Sequence, residues 1–321
     1  MAVQGGGKQR LDTPLGYRQP SAVKRLGLVL LTALALAPPL GAQAPDLTLL
    51  WRVSGGVLTT PAALQQGPIG VFWNPAAVHG TPGLGLGLEV MHTPDVVSMS
   101  SLLGGVTYQI GHYLGVGLCG GRVSVGDLVR TSTSPESEQG DIPVYAQFVG
   151  AAAGTAVGPL SVGAELRVHD VRLDADAEQS LTVDVGVRVR PTANLTLAAA
   201  SQFATLDLSG DPAAAYSAAA EYRVRPGSAL GGRALVLGRY GIEVRGNGDV
   251  EHLVSAGLGL GDRLRVDLAM LRADGYGTAA WEPVIGVEFR AGRYRVGVAR
   301  GSGLNGVGAT YRIGLNAGVL P

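Results

Sequence analysis

Twelve ionisable side chains stand at alternate positions inside short apolar segments: Glu165, Arg167, Asp184, Arg188, Glu221, Arg223, Arg239, Glu243, Arg265, Asp267, Glu288 and Arg295. Acids and guanidiniums on one face of neighbouring strands pair into charge-assisted ladders that close an interior, or else they line a water-filled path. Acids and arginines nearly balance in this set, which favours closure, because a selective ion path leans to one sign. Catalytic chemistry has less footing. There is no Gly-x-Ser-x-Gly elbow, P-loop, HExxH or clustered Cys/His spacing. The five histidines, His79, His92, His112, His169 and His252, are scattered. His169 shares a polar face with Glu165 and Arg167, but no nucleophile can be placed beside it. The pairs Gly85, Gly87 and Gly115, Gly117 precede no helix and so form no phosphate cradle. Cys119, the only cysteine, can form no internal disulfide and is expected to behave as a small buried apolar residue. No catalytic residue, metal ligand or cofactor is expected.

The elements that carry these charges are strands. From Leu84 to Leu315 the chain repeats, about fourteen times, a run of roughly ten residues alternating apolar with small or charged ones, then a turn. A period of two sends alternate side chains to opposite faces. In the segment 181–190, Leu181, Val183, Val185, Val187 and Val189 oppose Thr182, Asp184, Gly186, Arg188 and Arg190. The same split separates Leu264, Val266, Leu268 and Met270 from Arg265 and Asp267. A soluble sandwich alternates too. The connections decide the matter: those at Gly111-His112, Gly158-Pro159, 191–194, Gly261-Asp262 and Ala291-Gly292 are tight, whereas 131–141, 170–178, 207–214 and 273–280 are longer and polar. Short turns on one rim and long loops on the other predict a transmembrane antiparallel β-barrel, all-β, of about fourteen strands. Val116 and Leu118 are even but Val123 and Val125 odd, so a glycine bulge is expected at Gly120-Gly121. Tyr113, Tyr145, Tyr216, Tyr222, Tyr240, Tyr294 and Tyr311 are placed as interface-girdle residues.

Composition agrees. Among 321 residues of net charge zero there are 50 glycines without a collagen period, which suits strands whose small side chains face a narrow interior. The charge balance gives no footprint for nucleic acid, and after the N-terminal region no apolar stretch is long enough for a membrane helix. Lys24-Arg25, the apolar 26–40 and Gly41-Ala42-Gln43-Ala44 have the three parts of a secretory signal. Three regions follow: 1–44, an extension and export signal; 45–83, a plug or periplasmic segment; and 84–321, the barrel, placed in the outer membrane of a Gram-negative-type bacterium with its lipid as the first partner.

The segment 45–83 lacks the ten-residue beat and carries Phe72-Trp73-Asn74-Pro75-Ala76. Asn before Pro favours a turn, and the apolar pair Phe72-Trp73 can wedge the segment against the interior of a barrel. This run resembles the signature of the FadL and PorV/PorQ superfamily, where a Phe/Trp-Asn-Pro-Ala-Gly stretch precedes the first of fourteen strands. Ala77 stands in place of the usual Gly, and 65–70 replaces an acidic stretch. The resemblance implies a PorV/PorQ-like partner in secretion or surface attachment of exported proteins. The alternatives are a FadL-like channel for hydrophobic small molecules and a structural or general pore. The short pre-barrel segment and the polar 131–141 loop favour the first reading, since FadL-like transporters usually carry a longer hatch and an apolar binding groove.

Overall fold

The computed structural model describes residues 50–80, 82–94, 98–111, 113–128, 140–205, 214–226, 234–246, 248–273, 280–302 and 308–318. The segment 1–44 expected to hold an export signal, His112 and most of the loops at 131–141, 207–214 and 273–280 lie outside the described residues. Within them run fourteen strands. The first seven are β1 (Leu84–Thr93), β2 (Met99–Ile110), β3 (Leu114–Val125), β4 (Val144–Val157), β5 (Leu160–Leu173), β6 (Asp176–Val189) and β7 (Leu195–Thr205). The others are β8 (Ala215–Val224), β9 (Ala234–Arg245), β10 (Val250–Leu260), β11 (Leu264–Ala273), β12 (Ala280–Ala291), β13 (Tyr294–Gly301) and β14 (Thr310–Gly318). Each strand pairs antiparallel with its chain neighbours, and β1 also pairs with β14, Leu88 opposite Leu315, so the sheet closes.

Side-chain parity decides what faces where. β6 exposes Leu181 and Val185 and buries Thr182, Asp184 and Arg188. Around the wall, Leu118, Val149, Leu268 and Ile313 are all more than half exposed. A continuous belt of that kind would aggregate in water and matches a hydrocarbon surroundings. Closure meanwhile leaves no strand edge unpaired, which is the condition for crossing a bilayer with strands. The chain is an outer-membrane β-barrel. Tyr113, Tyr222 and Tyr294 stand at the tight-turn rim, and Tyr145, Tyr216 and Tyr311 near the opposite one, with Tyr240 on the outer face between them.

Three local expectations are corrected. The polar stretch 170–178 is not a loop: β5 and β6 pair down to Leu173 opposite Asp176, leaving residues 174–175 as the turn, with Asp174 at φ 57°. Polar side chains there extend the hairpin past the lipid, so polarity does not mark the strand end. Connection lengths also alternate imperfectly, since 225–233 is long on the tight rim and 246–249 short on the other. Finally, β3 keeps unbroken register with β2 and β4 through Gly120-Gly121. Val123 faces inward because the lumen beside it is filled with apolar side chains, so the apparent phase change reflects what lies inside. The bulge is in β7, where Gln202 and Phe203 interrupt the pairing between Val183–Ala204 and Val185–Ser201, Phe203 at φ 57°.

The lumen is filled by the segment before β1. It holds α1 (Trp51–Gly55), a 3-10 turn (Ala62–Leu64), α2 (Gly67–Trp73) and a second 3-10 turn (Pro75–His79). Helices this short have no stability of their own. They are held by burial: Trp51, Val71, Phe72, Ala77 and Val78 are almost wholly enclosed. Pro68 lies in the first turn of α2, where its missing N–H has no intrahelical partner to lose.

Candidate functional site

The plug and the wall fit by shape before they fit by charge. Inward-facing glycines are the sockets. A β-carbon on Gly105 would lie 2.5 Å from the Pro68 carbonyl oxygen, and one on Gly241 2.6 Å from the Pro61 ring. At Gly163 it would strike the Pro75 carbonyl, and at Gly186 the Asn74 amide oxygen. Glycine is thus placed where another backbone comes close.

Asn74 is wholly buried and its amide is fully used. Oδ1 accepts the Ala76 N–H at 2.9 Å, capping the second 3-10 turn. Nδ2 donates to the Ala63 carbonyl at 2.7 Å and lies 3.5 Å from the wall carbonyls of Val187 and Ala199. Its extended backbone (φ −155°, ψ 108°) is the one that a following proline favours. Pro75 and Ala76 are buried with it, against β5 and β6. Phe72 stacks on Phe148 at 5.0 Å between centroids and meets Trp73 edge-on at 4.7 Å. Trp51 closes the same cluster, 5.1 Å from Phe72 and 5.3 Å from Phe148.

The twelve ionisable side chains point into the barrel, eleven of them in three ion-paired groups and Arg188 apart from these. At mid-height the wholly buried Arg167 bridges Glu165 at 2.7 Å and Asp184 at 2.8 Å. It donates to the Phe72 carbonyl at 2.5 Å, and its guanidinium lies 4.6 Å from the Phe72 ring centre. Gln202 Nε2 donates to that same carbonyl at 2.6 Å, so two wall side chains fasten one plug oxygen. Asp184 also accepts the Phe203 N–H at 2.8 Å, tying the β7 bulge into the group. Cys119 is more than an apolar filler: its thiol donates to Glu165 at 2.7 Å. His169 lies 2.9 Å from the Thr182 hydroxyl, its ring 5.8 Å from that of Phe148.

Towards the tight-turn rim a ladder runs Arg223, Glu221, Arg239, Asp267, Arg265, Glu288, Arg295. Successive separations are 2.6, 2.7, 2.8, 2.7, 3.2 and 3.5 Å. Arg239 reaches across β10 to Asp267, and Gly257 leaves the room that its carboxylate needs. Arg188 pairs with no acid among the described residues. It donates to the carbonyls of Leu64 and Gln65 at 2.8 and 2.7 Å, satisfying the end of the first 3-10 turn. Near the opposite rim Glu243 pairs with Arg245 at 2.8 Å. Arg245 reaches Glu251 at 3.3 Å, which holds Arg52 of the plug at 2.6 Å.

Sequence reasoning missed Arg245, Glu251, Gln202, Arg52 and the Glu89–Arg312 pair. Parity alone would have found Glu89 and Arg312, on the inward face with Gly87 and Gly314. Arg52 carries no such signal, because it belongs to the plug.

Among the described residues, two cavities lie between plug and wall. The smaller, about 60 Å³, is walled chiefly by Trp51, Leu58, Trp73, Phe203, Leu253 and Leu271, with the Glu243–Arg245–Glu251 group at one side. The larger, about 340 Å³, is polar and opens between the plug stretch 59–66 and the charge ladder.

No protein-family model and no curated protein matches the chain. Solved structures do. The Ralstonia pickettii toluene transporter TbuX superposes with a TM-score of 0.53 at 14% identity, over 83% of this chain and 98% of that one. The Pseudomonas putida toluene transporter TodX gives 0.51 at 12% identity, over 82% and 96%. At such identities the likeness is one of fold.

Proposed function

We propose that this protein is a plug-gated channel for small apolar molecules, closer to the FadL-like reading than to the PorV/PorQ-like one. The observation that carries it is the apolar cavity walled jointly by the plug and the barrel, through Trp51, Leu58, Trp73, Phe203, Leu253 and Leu271. The shared fold with two toluene transporters supports a ligand of about ring size. A dry cavity of roughly 150 Å³ lined by aliphatic and aromatic side chains holds benzene. The 60 Å³ here is too small, so a ring enters only as plug side chains give way. Gating and binding are then one event.

A secretion-partner role ranks second. The Phe72–Ala76 run that suggested it is buried and occupied in seating the plug, which leaves those side chains no surface to offer another protein.

Two of the three tryptophans, Trp51 and Trp73, wall the cavity, whereas Trp281 faces outward. In a Trp281→Phe background, toluene titrated into the reconstituted barrel should change tryptophan emission saturably, and Leu271→Trp, which fills the cavity, should abolish binding measured by equilibrium partitioning. Partitioning no greater than that of the empty bilayer, or identical for the filled variant, would remove the channel reading. A gentle-detergent pull-down that recovers secretion components in fixed stoichiometry would move the assignment to the second role.

A further inference from the structure

The larger cavity carries a charge surplus that the ladder leaves over. Seven arginines and five carboxylates line it. Arg239 is spent between Glu221 and Asp267, and Arg312 on Glu89. Arg265 and Arg295 share Glu288, the second at only 3.5 Å and 40% exposed. Arg263, on the turn between β10 and β11, and Arg290, at the end of β12, are exposed and form no ion pair with any described residue. Each guanidinium has five donors in a fixed fork, and most of those on Arg263, Arg290 and Arg295 are unused.

The rim around this opening has the same sign. Of the described tight-turn connections, those from β6 to β13 add Arg190, Arg225 and Arg293, all exposed, with Asp262 as their single acid. The opposite rim leans acidic, with Asp127, Asp141, Asp176 and Glu178 exposed against Arg122, Arg172 and Arg300. Net charge zero therefore conceals one strongly basic rim and one weakly acidic rim. A cleft lined by one sign with low-dielectric walls concentrates counter-ions. An anion would meet an attractive field only from the tight-turn side, which in barrels of this type faces the periplasm.

We propose that this cavity is a periplasm-facing site for a small anion whose phosphate or carboxylate groups are held by Arg290, Arg295 and Arg263. Its 340 Å³ falls in the range of small-molecule pockets. Polar partners for the rest of the ligand are at hand: Thr59, Thr60 and Gln66 of the plug, and Asn316, whose buried Oδ1 has no hydrogen-bond partner. Because plug and wall both contribute, an occupant bridges them and holds the 59–66 stretch in place. The site is separate from the apolar cavity and independent of what passes through it.

The test uses the full mature chain in nanodiscs of neutral lipid, titrated calorimetrically with inorganic phosphate, and in parallel nanodiscs containing phosphatidylglycerol. Binding of phosphate that weakens about tenfold or more in Arg290→Gln/Arg295→Gln, the loss expected for charge-assisted bonds, and persists in the outer-rim variant Arg172→Gln, supports the site. Retained lipid phosphate with the same dependence on those two arginines, and no response to free phosphate, assigns the site to a headgroup. Heat-modifiable migration on gels verifies that each variant is folded. No binding by folded wild type in either arm, or equal binding by the double variant, would overturn the proposal.

Discussion

At the scale of single residues, the plug depends on atoms that are absent as much as on those present. Gly186 has no β-carbon, and Asn74 occupies that space with an amide whose donors and acceptor are all engaged. Gly186→Ala should therefore leave the barrel foldable while unseating the 74–79 turn. The expected outcome is faster proteolysis within residues 50–80 of the reconstituted protein, at unchanged heat-modifiable mobility; a cleavage rate equal to wild type would mean the wall yields instead. Arg167 makes the opposite case. Its removal would leave Glu165 and Asp184 facing each other without a cation, and breaking a buried pair from one side costs roughly 3–5 kcal/mol. Arg167→Met should lower the urea midpoint of the folded barrel accordingly. Adding Glu165→Gln and Asp184→Asn should recover much of that loss, since neutral amides need no counter-charge.

At the scale of elements, the wall is governed by parity. Leu268 faces lipid at mid-strand, opposite Ala256 on β10 and Ile285 on β12. Leu268→Arg should impair insertion by about 2–4 kcal/mol, read from the folded fraction in liposome refolding, whereas Ala269→Ser on the inward face should be far milder. Equal losses would contradict the assignment of faces. The same parity made strand number, faces and closure legible before any coordinates, because lipid imposes one rule on every outward side chain. The interior has no such uniform solvent. Val123 looked like a phase error because its partner is apolar plug rather than water, and the β7 bulge at Gln202-Phe203 leaves no composition signal at all. The turn at 174–175 was hidden for a related reason: strands that outrun the bilayer are polar on both faces. Charges on the wall were readable as inward, yet which acid meets which arginine depends on register between strands, and Arg239 skips a whole strand to reach Asp267.

For the whole molecule, the decisive quantity is how much of the lumen stays open. Barrels of about eight strands fill their own interior with side chains, and those of sixteen or more leave an aqueous channel. Fourteen strands lie between, so the interior needs an added filling, and the segment 50–80 with the three charge groups supplies it. The plug is fastened at three heights. Arg52 holds it to Glu251 near one rim, Arg167 and Gln202 grip Phe72 at the middle, and Arg188 takes Leu64 and Gln65 towards the other. Fluctuations that free one end leave the others attached, so wild-type protein in planar bilayers should pass little ionic current. Deletion of residues 50–80 removes all these contacts and opens the path between the acidic and basic rims. Such a barrel should conduct ions steadily, with rectification, because each rim concentrates the opposite sign of ion. Conductance of wild type already equal to that of the deletion would mean that the plug does not close the lumen, and gating would have to lie elsewhere.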